Sequence, residues 1–252
     1  MTVDYHIHCL AHGERKSLKE NYLAFINEAR RKGMTEIGFA EHNEYLDAID
    51  YRLLQTLQME IKDIKIKIGV EMEMPATEDG FKMLSKYPLD YIIASVHIID
   101  DWLFDHPDYA EKYAEYSADD LYRSYFEKIA RLLAWRGYNI IGHLDLIKVF
   151  NKRSDFDFKP LIEKGLRSLR DRNCAVEINT AGKYKPIGEI YPAPDVIEWL
   201  YQLDVPITLS SDAHKGEDTG RDIMKTLEEL KKVGFKKIAG FTNLKRYLIN
   251  ID

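Results

Sequence analysis

Eight apolar, β-rich runs alternate with amphipathic helical patterns along the chain, with no low-complexity stretch or linker between them. The runs are Val3–His8, Glu36–His42, Ile64–Met74, Tyr91–His97, Asn139–Leu146, Ala175–Ala181, Pro206–Asp212 and Lys237–Thr242. Several are near-continuous apolar stretches, the pattern of parallel strands covered on both faces. Helical patterns cover Ser17–Lys32, Ala118–Arg136, Pro160–Arg172, Ala193–Gln202 and Thr219–Lys232. Ser17 stands three residues before Glu20, as in a capping box, and Gly33, Gly137 and Gly234 follow helix ends. Such alternation predicts an α/β fold: a closed or nearly closed βα barrel of seven or eight strands, one domain over residues 1–252. A doubly wound open sheet is the alternative. The first strand runs into His6-Ile7-His8-Cys9 rather than a glycine-rich turn, which counts against a dinucleotide fold.

Composition narrows the setting. With 45% hydrophobic and 31% charged residues the chain is globular in type. No apolar run approaches the roughly 18–20 residues that span a bilayer, so no membrane partner is expected. The opening residues carry no basic leader followed by an apolar stretch, so no secretory signal is expected. Cys9 and Cys174 are too few for a disulfide framework, and a cytoplasmic location is expected. The formal charge of −6 disfavours nucleic acid as a partner. Oligomeric state is left open.

The positions of the histidines carry the chemistry. Seven of the eight fall at or just after the C-terminal end of a predicted strand. His6 and His8 end the first and His12 follows in its loop; His42 ends the second, His97 the fourth, His143 lies within the fifth and His214 follows the seventh. His106, in Asp105-His106-Pro107, reads as a loop residue. In βα barrels those strand ends form the rim that holds the active site. Acids join them there: Glu71 and Glu73, two apart on one strand face, then Asp145, Glu177 and Asp212.

Imidazole with carboxylate is the ligand chemistry of zinc, manganese and iron. Nine candidate ligands are too many for one ion, because a catalytic zinc takes about three protein ligands. Barrel order groups His6, His8 and Asp212 from adjoining strands, then Glu71, His97 and His143, then His12, His42 and His214. Glu71 has two oxygens and can bridge the first two groups, which predicts two or three divalent ions (Zn, Fe or Mn).

These stretches resemble the PHP family (polymerase and histidinol phosphatase), most closely its stand-alone histidinol-phosphatase branch. The matching residues are Asp4-Tyr5-His6-Ile7-His8, Ala40-Glu41-His42, Gly69-Val70-Glu71, Ser95-Val96-His97, Ile141-Gly142-His143-Leu144-Asp145-Leu146, Glu177-Ile178-Asn179-Thr180 and Ser211-Asp212-Ala213-His214. Glu189-Ile190-Tyr191-Pro192 also follows the branch pattern. The resemblance implies a distorted (β/α)7 TIM-like barrel with up to three metals. His6, His8, Glu71 and Asp212 would hold the first, Glu71, His97 and His143 the second, and His12, His42 and His214 the third. The loop that carries His12 varies within the family.

The activity expected is hydrolysis of L-histidinol phosphate by a metal-bound hydroxide, with Glu71, Asp212 and His143 as the catalytic residues. Monoester hydrolysis is so slow uncatalysed that the site must lower the barrier by roughly 20 kcal/mol or more. Several cations acting together are a credible source. Lys148, Lys183, Lys185 and Arg221 are the candidate phosphate contacts, and Glu73, Glu177 and Asp145 the candidate partners for the ammonium and imidazole of the substrate. The alternatives are a PHP phosphoesterase acting on nucleotides or other small esters, an amidohydrolase-type deaminase, and a non-catalytic metal-binding protein.

Overall fold

In the computed structural model, which describes residues 1–74 and 78–251, the first strand is β1 (Val3–Ile7). All its residues are buried, the signature of a strand covered on both faces. The chain returns through α1 (Lys19–Arg31) to β2 (Glu36–His42), then through α2 (Tyr51–Glu60) to β3 (Lys65–Glu73), then past α3 (Glu78–Leu84) to β4 (Tyr91–Ser95). A short antiparallel hairpin, β5 (Ile98–Ile99) and β6 (Trp102–Leu103), follows β4 directly. Next come α4 (Ala118–Ala134), β7 (Ile140–Ile141), α5 (Lys159–Ser168), β8 (Ala175–Asn179), α6 (Pro194–Gln202), β9 (Ile207–Ser210) and α7 (Ile223–Val233).

Seven strands form one parallel sheet in the order β1-β2-β3-β4-β7-β8-β9. Its two ends meet. His8 N–H donates to the Ala213 carbonyl at 2.9 Å, and Ala213 N–H to the His6 carbonyl at 3.1 Å. The barrel is nearly closed, and the open-sheet alternative is excluded. Its lower interior is filled by Tyr91, whose hydroxyl donates to the Tyr5 carbonyl at 2.7 Å. Gly38 and Gly69 make room for that side chain: a Cβ would lie 2.1 Å from its hydroxyl at Gly38 and 2.4 Å from its ring at Gly69.

The eighth predicted strand does not enter the barrel. It forms β10 (Lys237–Thr242), which pairs antiparallel with β11 (Lys245–Asn250) across Asn243-Leu244, both at positive φ. The hairpin packs under the barrel, with the Phe241 ring 5.9 Å from that of Tyr5. Its turn is bound by the Asp90 carboxylate and carbonyl, at the foot of β4. A single apolar strand pattern does not distinguish joining the sheet from capping it.

Local readings shift as well. Residue 17 does not cap α1. Leu18 occupies that position without a side-chain bond, and Ser17 Oγ instead pairs with Tyr22 Oη and accepts from Asp50 N–H, both at 2.8 Å. The run Asn139–Leu146 keeps only two residues as strand before Gly142 turns out of it. The last barrel helix starts at Ile223 rather than Thr219, because Gly216–Asp218 form a 3-10 turn and Asp222 takes a φ of 59°. Helices α2 and α3 have no counterpart among the predicted helical patterns. No helix among the described residues is long and apolar enough to cross a membrane.

Candidate metal centre

Every parallel strand runs towards the same rim, so side chains from distant segments converge there. Glu71, at the end of β3, is at the centre and is 1% exposed. Its Oε2 lies 3.2 Å from His6 Nε2, 3.4 Å from His8 Nε2 and 3.1 Å from His42 Nδ1. Its Oε1 lies 3.0 Å from His143 Nε2 and 3.3 Å from His97 Nε2, which are 3.2 Å from each other. The carboxylate is therefore shared between two sets of imidazoles. Asp212 adds an oxygen on the first side, 3.4 Å from His8 Nε2 and 3.9 Å from His6 Nε2.

The outer histidines stack rather than disperse. The His8 ring is 4.6 Å from that of His42 and 4.3 Å from that of His214. The His12 ring is 5.1 Å from His42 and 4.7 Å from His214. His8, His42 and His214 place donor atoms within 4.8 Å of one another, as do His6 with His8 and Glu71, and His42 with Glu71 and His97. His12, held at a φ of 56°, borders these groups without entering one.

A second ring of groups fixes the first. His6 Nδ1 pairs with Glu177 Oε1 at 2.6 Å, and His97 Nδ1 pairs with Glu73 Oε2 at 2.6 Å. Each bond leaves Nε2 aimed at Glu71, which is how carboxylates orient metal-binding imidazoles. Glu177 also accepts from His143 N–H at 2.6 Å, and Glu73 accepts from His97 N–H at 3.1 Å. Glu73 and Glu177 thus each hold a histidine of the cluster. Asp145 Oδ2 is held by Lys148 Nζ at 2.8 Å and Ala193 N–H at 2.8 Å, while its buried Oδ1 has no hydrogen-bond partner among the described residues.

The basic candidates separate. Lys148, 2% exposed, is bound by Asp145, by Glu189 Oε1 at 2.8 Å and by the Ile190 carbonyl at 2.9 Å, so it ties two loops together and has no donor left over. Lys183 Nζ is buried without a hydrogen bond, with Asp222 3.9 Å away. Arg221 stacks on Tyr184 and donates to Asp218 at 2.7 Å, leaving its buried Nε unpartnered. Lys185 is exposed.

Electrostatics match a cation site. Burial would raise the Glu71 carboxyl, but His6, His42 and His97, with the His143 bond, hold it well below the usual range. Asp212 behaves the same way, lowered by His6 and His8 against its burial. Burial and the neighbouring His214 push His8 down, leaving a neutral imidazole. Both nitrogens of His8, and Nε2 of His6, are buried without a hydrogen-bond partner among the described residues. Donor atoms 3.0–3.4 Å apart match the edges of a coordination shell whose bonds are about 2.0–2.2 Å long. The residues present fit divalent cations that accept nitrogen and oxygen donors.

One supporting residue, Arg15, escapes sequence patterning. Arg15 Nε donates to the Cys9 carbonyl at 2.7 Å, and its Nη2 bonds the His8 and His214 carbonyls, tying both ends of the histidine cluster. Asn179 Nδ2 reaches Glu177 at 3.2 Å and Asp212 at 3.3 Å. Asn179 lies two residues after Glu177 on the same strand face, in the Glu177-Ile178-Asn179-Thr180 stretch.

Comparison with known proteins gives the same picture. The PHP domain family matches residues 4–181. The Deinococcus radiodurans protein named "Probable histidinol-phosphatase" is 32% identical over 189 residues, covering 73% of this chain and 72% of that protein. The histidinol-phosphatase of Lactococcus lactis is 29% identical, covering 96% of this chain and 95% of that one. A crystal structure of the Lactococcus lactis enzyme with zinc, L-histidinol and phosphate superposes with a TM-score of 0.80, over 98% of each chain at 27% identity.

Proposed function

The chain belongs to the PHP domain family, and from that premise we propose that it hydrolyses L-histidinol phosphate to L-histidinol and phosphate at the cluster around Glu71. The observation that carries the reading is the division of the two Glu71 oxygens between His6 and His8 on one side and His97 and His143 on the other. The bound zinc, L-histidinol and phosphate of the Lactococcus lactis structure support the choice of substrate.

His6, His8, Glu71 and Asp212 would hold one divalent ion, Glu71, His97 and His143 a second, and His12, His42 and His214 a third. When bound, such cations lower the pKa of water towards neutrality and neutralise charge on phosphoryl oxygens. The chain supplies the rest. Glu177 and Glu73 fix the ring planes of His6 and His97. Asp212, 19% exposed at the side chain and steadied by Asn179, would accept the proton of the attacking water. Lys183 and Arg221 offer unpartnered donors to the phosphate, with Lys185 on the same turn at the surface. Attack on phosphorus breaks the bond to the histidinol oxygen, which would leave with the proton that Asp212 has taken from the water.

A small ester suits this site better than polymeric nucleic acid, because the formal charge is −6. The second reading is a phosphatase of other small esters, which the same cluster would serve. Phosphate release from histidinol phosphate, nucleotides and an aryl phosphate, with elemental analysis of the protein, separates the two. A preference for histidinol phosphate of at least about tenfold in kcat/KM is expected; a flat profile favours the second reading.

A further inference from the structure

Tyr191 is a buried polar group that the reaction as described leaves without a task. It lies beyond β8, in Glu189-Ile190-Tyr191-Pro192, and pairs antiparallel with Asn179: each N–H donates to the other's carbonyl, at 2.9 Å and 2.6 Å. The residue is 1% exposed. Its ring meets the His143 ring edge-on at 6.5 Å and lies over Gly182, where a Cβ would come within 2.8 Å of it. The backbone and the ring are fully fixed, yet Oη has no hydrogen-bond partner among the described residues. A buried hydroxyl left unpaired is costly, so one beside an imidazole–carboxylate cluster asks for a water or a ligand to complete it.

The surroundings say what that partner is. A phenol hydroxyl carries one O–H donor, and that of Tyr191 is buried with nothing among the described residues to receive it. Lys183 Nζ, from the turn that follows the same strand, is a second buried donor without a hydrogen bond. The Tyr191 ring lies against His143 and against Gly182, the residue before Lys183, and two unpartnered donors from these adjoining segments call for an anion with several acceptor oxygens.

We propose that Tyr191 is a further catalytic residue, whose hydroxyl donates a hydrogen bond to a non-bridging phosphoryl oxygen of the substrate. The proposal rests on the phosphatase reading of the site. A neutral phenol adds direction where Lys183 adds charge, and it replaces a water that the phosphoryl group loses on entering the cluster.

The test is Tyr191→Phe in the metal-loaded protein, which removes one oxygen and keeps the ring. Inorganic phosphate should then bind about ten- to a hundredfold more weakly. The kcat/KM for both histidinol phosphate and an aryl phosphate should fall by a similar factor, with metal content and Tm at the wild-type values. Phosphate affinity and kcat/KM within about twofold of wild type would overturn the assignment. If the variant loses metal or melts early, a second measurement decides. Fluorotyrosine placed at position 191 keeps the hydroxyl, and its fluorine resonance should move as inorganic phosphate is titrated in; a resonance that stays still at saturation overturns the contact. Failure of the substrate reading looks different: wild type then cleaves the aryl phosphate but not histidinol phosphate, and the Tyr191 comparison is read on the aryl ester.

Discussion

His6 Nδ1 and Glu177 Oε1 lie 2.6 Å apart, at 0% and 1% side-chain exposure, and join the first strand of the barrel to the sixth in sheet order. The bond fixes which imidazole nitrogen faces Glu71. Glu177→Gln keeps the shape but weakens that hold and the charge behind it. Metal affinity should drop about 10- to 100-fold, read by competitive titration with a chromogenic chelator. Affinity equal to wild type would show that the His6 ring needs no such support.

Glu71→Gln and Asp212→Asn should lose metal and turnover together, since each oxygen of Glu71 faces a different set of histidines. Exhaustive chelation of the wild type should have the same effect, and restored divalent ions should restore activity to the wild type but not to Glu71→Gln. Metal ligands must be deprotonated, so affinity for the ions should fall as pH is lowered through the histidine range. A Glu71→Gln enzyme with normal turnover would contradict the shared carboxylate.

Glu73 is bound to both the ring and the N–H of His97. For that reason Glu73→Gln should lower kcat and metal affinity while the KM for histidinol phosphate moves little. Steady-state kinetics with metal analysis checks it. A variant with raised KM, normal kcat and full metal would return Glu73 to substrate recognition.

Lys148 and Lys183 should separate in their effects. Lys148→Ala leaves Asp145 and Glu189 without their buried partner and should cost about 3–5 kcal/mol of stability, seen as a lowered Tm. Lys183→Ala removes a cation that makes no hydrogen bond, so stability should hold and KM should rise. Equal melting temperatures for the two variants would remove the distinction.

At the other end of the barrel, buried Glu36 accepts from Tyr5 at 2.6 Å, from Lys65 at 2.8 Å and from Tyr247. Burial raises its carboxyl, but the bonds from Lys65, Tyr247 and Tyr5 outweigh that and leave it lowered. A lowered folded-state pKa means a contribution present above the unfolded value, lost as pH falls through the folded one. Glu36→Gln should therefore cost about 1–3 kcal/mol at pH 7, and the gap to wild type should narrow below the ordinary carboxylate range. Denaturant titrations at pH 7 and in acid measure it; a gap independent of pH would mean that the charge is not what stabilises.

Strand–helix alternation and histidines at strand ends were enough to determine a barrel with an imidazole-rich rim, because both depend on period and position along the chain, which local physics sets. His6, His97, His143 and Asp212 could be named from spacing for that reason. What each polar group bonds to was settled only by closure of the barrel. Glu73 and Glu177 are indistinguishable in sequence from substrate contacts, and they became partners of His97 and His6 only when strands far apart in the chain were brought side by side. Lys148 and Lys183 follow neighbouring strands in the same kind of loop, yet one is enclosed by carboxylates and the other is left without a hydrogen bond among the described residues. The last β-run likewise became a cap beneath the barrel, because seven strands already met through His6, His8 and Ala213 and left no edge for it to join.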